Sequence, residues 1–151
     1  MRAGGMEGAI ILGVTNLDLL GALVVVDRAA AMVEGKFDKL AAAEKLSKLL
    51  QTMKVSDTIP ARQADLATFA VSNAWADAAT TLAEFRHRYV HANKKRRKIA
   101  LAAPRLATFQ AWQLSLWYQE LALLYFLNHR GEYRNRVTAE WLGIVENVPW
   151  A

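Results

Sequence analysis

Apolar residues recur at three- and four-residue spacing along most of this chain, a period that predicts helices rather than strands. Leu17, Leu20, Leu23, Val24 and Ala31 mark a first helix, which Gly35 is expected to end. Asp38 is placed to cap a second, with Leu46, Leu49, Leu50 and Met53 along one face; it should fade near Val55, ahead of Ser56-Asp57-Thr58-Ile59-Pro60. From Pro60 the helical pattern runs to about Ala92, and the residues Ser72 to Asp77 leave a break there open. Asn93 to Lys98 reads as a loop, because five consecutive like charges repel one another in a regular helix. Pro104 suits the first turn of a long last helix that Gly131 closes.

The last helix has no charge between Arg105 and Glu120, while Leu106, Phe109, Trp112, Leu116, Trp117 and Tyr118 cover most of its circumference. A helix apolar nearly all round belongs at the centre of a fold. Arg105, Thr108, Ser115 and Gln119 share a narrow face with Trp112 among them, which leaves a wet cleft or a homodimer interface open beside the plain core reading. After Gly131, Tyr133, Arg134, Arg136, Trp141, Pro149 and Trp150 are dense anchors for a short tail, which should dock on the body. Hairpin dipeptides and internal repeats are missing. The fold class expected is therefore all-α: a bundle of four to five helices with a short docked C-terminal segment, residues 1–14 forming an N-terminal extension and residues 15–151 the domain.

Composition narrows the chemistry. With 54% hydrophobic residues in 151, one domain can bury a core without covalent help. The sequence contains no cysteine, which excludes thiolate catalysis, thiolate-held zinc and disulfides, and fits a reducing cytoplasm. The apolar run from Gly8 to Val26 is interrupted by Asn16 and Asp18, and Glu7 stands where a signal peptide needs positive charge, so a soluble, cytoplasmic protein with no membrane partner is expected.

The net charge of +5 is unevenly spread. Between residues 84 and 105, eight cations face Glu84 alone, giving that segment +7 and the remainder −2. A local cluster of this kind points to an anionic partner, although a solvated basic loop has the same composition. Its first part, Glu84-Phe85-Arg86-His87-Arg88-Tyr89-Val90-His91-Ala92-Asn93, sets two of the three histidines beside arginines and runs into Lys94-Lys95-Arg96-Arg97-Lys98. An imidazole moves protons near neutral pH and a guanidinium holds phosphate through paired donors, which together suggest phosphodiester chemistry. His87 and His91 lie about 40° apart on a helix, whereas Arg86 and His91 differ by about 140°. Convergence of the latter pair needs the helix to end near His91, a long arginine reach, or a second copy of the segment across a two-fold axis.

Arg86-His87-Arg88-Tyr89-Val90-His91 resembles the R-polar-xxx-H signature of the HEPN superfamily, all-α domains with arginine, a polar residue and histidine near a helix end. The tail, with Tyr133, Arg136, Trp141, Gly143, Glu146 and Val148-Pro149-Trp150, is similar to the end of HEPN domains in ApeA-like abortive-infection proteins. His87 stands where asparagine is commoner in that family. The resemblance implies a HEPN-like bundle and a metal-independent endoribonuclease, usually homodimeric, serving toxin–antitoxin systems or antiphage defence, with an antitoxin or other regulatory partner. On that reading Arg86, His87 and His91 are catalytic. His91 acts as base on an RNA 2′-hydroxyl or as acid on the leaving 5′-oxygen, and Arg86 stabilises charge on the phosphoryl oxygens. RNA supplies its own nucleophile, so neither metal nor cofactor is required. Arg88, Tyr89, Lys94, Lys95, Arg96, Arg97 and Lys98 would bind the RNA, tRNA among the candidates.

Three other readings stay open. A non-catalytic RNA-binding or dimeric module of the same fold would use the same basic run. A metal site is offered by Glu84, His87 and His91 at i, i+3 and i+7, but the sequence holds no second Glu-x-x-His and the flanking cations oppose a metal ion. A scaffolding role is the third; His129, beside Arg130 just before Gly131, suits a helix C-terminus.

Overall fold

The two longest helices lie side by side and set the fold. In the computed structural model, which describes residues 4–90, 94–138, 141 and 143–151, helix α1 spans Gly4–Gly21 and continues as a π-helical segment over Ala22–Arg28. By length and composition the stretch Gly5–Arg28 is apolar enough to cross a membrane. Here Ile10, Val14, Leu17, Val24 and Val25 are buried in the core, and much of that burial is against the last helix, α7 (Arg105–Phe126). The helix runs uninterrupted through the expected boundary between residues 14 and 15, and Met6 and Ile10 on the early side are buried.

The pair is parallel. Gly13 faces Ser115, and Asn16 Nδ2 donates to Gln119 Oε1 at 3.3 Å, a nearly constant offset along the two helices. A Cβ at Gly13 would stand 2.8 Å from Ser115 Oγ, so glycine permits the close approach. The narrow polar face of α7 thus meets α1, with Ser115 Oγ bonded to Trp112 O at 2.8 Å and Gln119 Nε2 to Ser115 O at 3.0 Å. Its wider face buries Ala111, Leu114, Tyr118, Leu121 and Ala122, as the central-helix expectation required. Full burial of each large apolar side chain is worth about 1.5–3 kcal/mol.

The remaining helices surround this pair. Short α2 (Glu34–Phe37) seats Phe37 against Gly21, and α3 (Ala42–Thr52) buries Leu46, Leu49 and Leu50 as the spacing predicted. Asp38 does not cap α3; it closes α2, and the first free N–H of α3's entry, that of Ala41, is bound by Glu44 Oε2 at 2.8 Å. The open question at Ser72–Asp77 resolves as a real break between α4 (Ala64–Ser72) and α5 (Ala78–Val90). The start of α4 is held from α7, where Gln110 Oε1 accepts the Leu66 N–H at 2.8 Å. The segment expected as a loop after Asn93 is instead helix α6 (Lys94–Leu101), packed on α5. Like-charge pairs three and four apart cost only about 0.2–0.5 kcal/mol each. Lysine and arginine are good helix formers, so their propensity and the apolar end of α6 outweigh that repulsion.

The tail docks as expected, but through a strand pair that the sequence did not signal. Antiparallel β1 (Glu132–Tyr133) and β2 (Glu146–Asn147) align Tyr133 with Glu146. Trp117 Nε1 donates to the Tyr133 hydroxyl at 3.2 Å, and that hydroxyl donates to Glu146 Oε1 at 2.6 Å. Trp150 is buried, with its indole N–H on His129 O at 2.8 Å. Trp141, expected as an anchor, is 71% exposed.

Neither Gly35 nor Gly131 ends its helix. The π-helical segment stops at Arg28 and α7 at Phe126. Four helical segments close through left-handed residues other than glycine: Ala30 (φ 48°), Lys54 (φ 57°), Ala74 (φ 56°) and Asn128 (φ 60°). After each, the next N–H reaches back to the last turn: Ala31 to Val25 O at 2.8 Å, Val55 to Leu50 O at 2.9 Å, Trp75 to Ala70 O at 3.0 Å and His129 to Leu124 O at 2.9 Å. A side chain in that conformation costs about 1–2 kcal/mol, partly offset in the unfolded state by its lower entropy than glycine's. Ala74→Gly is therefore expected to stabilise the protein by roughly 0.5–1 kcal/mol in urea unfolding. A loss of stability would contradict the strained-cap account.

Candidate nucleic-acid interface

Helix α5 carries the candidate chemistry at its C-terminal end. Asp77 starts it, its Oδ1 accepting the Thr80 N–H at 2.6 Å, as an N-cap aspartate does. Ala78, Ala79, Leu82 and Phe85 form its buried stripe. Tyr89 continues that stripe: its ring lies 6.0 Å from Phe85, and its phenol is hydrogen-bonded to Thr108 at the start of α7. Burial pushes the Tyr89 phenol up to about 12, with the Thr108 bond opposing and the Glu7 charge adding. The Tyr89 ring, one of the groups expected to bind RNA, is thus engaged in packing.

Arg86, His87 and Arg88 lie half-buried on the last turns of α5. Cations are favoured there by the helix dipole. Arg88 is engaged within the protein: its Nε meets Glu84 Oε2 at 3.2 Å, and its guanidinium covers the Trp75 ring at 4.8 Å. Trp75 in turn packs edge-on against Phe69 and Phe85 at 5.4 and 5.6 Å. Glu84, the carboxylate that spacing would offer to a metal, is therefore paired with an arginine. Among the described residues no three histidine or carboxylate side chains gather as a metal set.

Two guanidinium donors stand out. Arg86 Nε and Arg88 Nη1 are buried and have no hydrogen-bond partner among the described residues. Buried donors without acceptors are uncommon and costly, at about 1–3 kcal/mol each. They become satisfied if a phosphate oxygen reaches them. His91 and Asn93 fall outside the described residues.

Lys94, Lys95 and Lys98 are exposed on α6, directly after this turn. Arg96 and Arg97 share the helix, but their side chains lie outside the described set. Chain order and helix packing thus join the α5 end and the basic run into one cationic surface. The Trp75–Arg88 contact crosses a turn that hides it from sequence spacing, whereas the Glu84–Arg88 pair, at i and i+4, was readable.

The fold and this surface define an all-α bundle domain with a basic helix end. The sequence model of the YopA C-terminal domain matches residues 1–147, and the chain belongs to that family. No curated protein matches the chain, and no solved structure does.

Burial also raises the phenols of Tyr118 and Tyr133, the latter with help from its bond to Glu146. A tyrosine with a raised folded pKa stabilises the fold below its unfolded value of about 10 and loses that contribution as pH climbs through the folded value. Stability is expected to hold up to about pH 10 and then fall, with tyrosinate absorbance of Tyr89, Tyr118 and Tyr133 rising together with loss of helicity. Ionisation of all three near pH 10 in a protein whose helicity is intact would refute their burial.

Proposed function

We propose that this domain is a HEPN-type, metal-independent endoribonuclease, with Arg86, His87 and His91 as its catalytic groups. The observation that carries the reading is the pair of buried guanidinium donors on the last turns of α5, Arg86 Nε and Arg88 Nη1, without a hydrogen-bond partner among the described residues, beside an exposed run of lysines. The all-α bundle and the motif's place at a helix end support it.

His91 takes the proton of the RNA 2′-hydroxyl or gives one to the leaving 5′-oxygen. Arg86 stabilises charge as it grows on the phosphoryl oxygens, and His87 positions the phosphate or shares the proton transfer. The 2′-oxygen attacks phosphorus, the P–O5′ bond breaks, and a 2′,3′-cyclic phosphate and a 5′-hydroxyl result. Lys94, Lys95, Arg96, Arg97 and Lys98 hold the backbone without reading bases. A homodimer would bring two motifs together, and a neutralising partner in toxin–antitoxin or antiphage defence would restrain it in the cytoplasm. The rival is a non-catalytic RNA-binding module, favoured by the engagement of Arg88 with Glu84 and Trp75.

Purified protein in excess EDTA should cleave bulk tRNA and leave cyclic phosphate ends. His91→Ala should lower the rate by roughly 10²- to 10⁴-fold with RNA affinity retained. Replacing Lys94 and Lys98 together with alanine should leave the cleavage step intact and flatten the salt dependence of binding, at about 0.7 per phosphate contact on single-stranded RNA. RNA left intact, yet bound equally by wild type and His91→Ala, would establish the non-catalytic module instead.

A further inference from the structure

Three helix C-termini meet at the other end of the bundle. The π-helical segment ends at Arg28, α3 at Thr52 and α7 at Phe126. Between them lies a cavity of about 330 Å³ whose walls include Arg28, Lys54, Arg130, Asn128 and Trp150, and no carboxylate. Thr108, beside the α5 end, and Tyr125, at this cavity, are 17 residues apart on α7, roughly 25 Å at 1.5 Å per residue. The cavity is therefore separate from the surface formed by α5 and α6.

We propose that this cavity binds the diphosphate group of a small molecule, independently of the nuclease reading. The first reason is charge. Three cations border a space near the small end of the range for ligand pockets, with no acid in its walls. Each helix end contributes only about half a negative charge, so the balance stays positive. The cations are not needed as caps, because the last turns are closed by backbone N–H groups of Ala29, Val55 and His129.

The second reason is backbone conformation. Lys54 and Asn128 both line the cavity, and both hold φ near +60°. Glycine would adopt that conformation freely, asparagine tolerates it and lysine does not. In Lys54 and Asn128 this conformation closes α3 and α7, and it also sets both residues at the cavity wall. In the remaining wall Trp150 is buried edge-on to Tyr125 at 5.1 Å, and Arg130 Nη1 donates to Trp150 O at 3.5 Å. Three cations along one cavity wall suit the two phosphates of a diphosphate better than a single carboxylate or orthophosphate.

Calorimetric titration of the full chain at low salt with pyrophosphate, adenosine diphosphate and orthophosphate tests this. Saturable binding of the two diphosphates, at least tenfold tighter than orthophosphate, is expected. Affinity for adenosine diphosphate above that for pyrophosphate would assign a nucleotide; equal affinity would assign the diphosphate group alone. Lys54→Gly separates binding from folding, since it removes the charge and relieves the backbone: its Tm should rise while diphosphate affinity falls at least tenfold. The Lys94→Ala, Lys98→Ala protein should bind as wild type does. Absence of saturable binding, or affinity unchanged in Lys54→Gly, would overturn the proposal.

Discussion

The close, parallel contact between α1 and α7 fixes everything else in this bundle. Gly13 leaves room for Ser115, Asn16 joins Gln119, and the two longest apolar surfaces of the chain bury one another around that seam. Packing of this kind is intolerant of added volume, because protein interiors are filled to crystalline density. The seam gives the molecule two ends. One holds the start of both helices, and the other holds their C-termini together with that of α3.

Function follows from which charges that arrangement sends to which end. Helix α5 runs opposite to α7, so its last turn, with Arg86 and His87, comes to the start of α7, where Tyr89 meets Thr108. The basic helix α6 follows at once, with lysines at its own N-terminus, where the dipole disfavours them. Their placement costs the domain some stability. At the far end, Arg28, Lys54 and Arg130 gather where dipoles do favour cations, but around a cavity rather than against carboxylates.

Much of this was legible in the chain. The stripe of Leu46, Leu49, Leu50 and Met53 and the centrality of α7 follow from apolar spacing, and both are found; the break after Ser72, which the spacing left open, is real. Helix ends were harder, because Lys54, Ala74 and Asn128 do the work that glycine signals, while Gly35 and Gly131 lie beyond the ends they were expected to mark. Reading Lys94 to Lys98 as a loop overweighted repulsion that solvent screens. At the candidate site, the cluster's basic charge was visible; the i, i+4 spacing of Glu84 and Arg88 carried a signal of their ion pair that went unread. The inward turn of Tyr89 and the Trp75 platform under Arg88 were not visible, since both depend on contacts between elements distant in sequence.

The seam itself is tested most directly by placing valine at Gly13 and, separately, at Gly8, and measuring urea unfolding of both. The two positions share one helix, but a Cβ at Gly8 meets nothing within 4 Å, whereas one at Gly13 runs into Ser115. Gly8→Val should unfold close to wild type, and Gly13→Val should lose roughly 1–3 kcal/mol, the usual cost of overpacking. Equal stability of the two variants would contradict a fold organised on the α1–α7 contact.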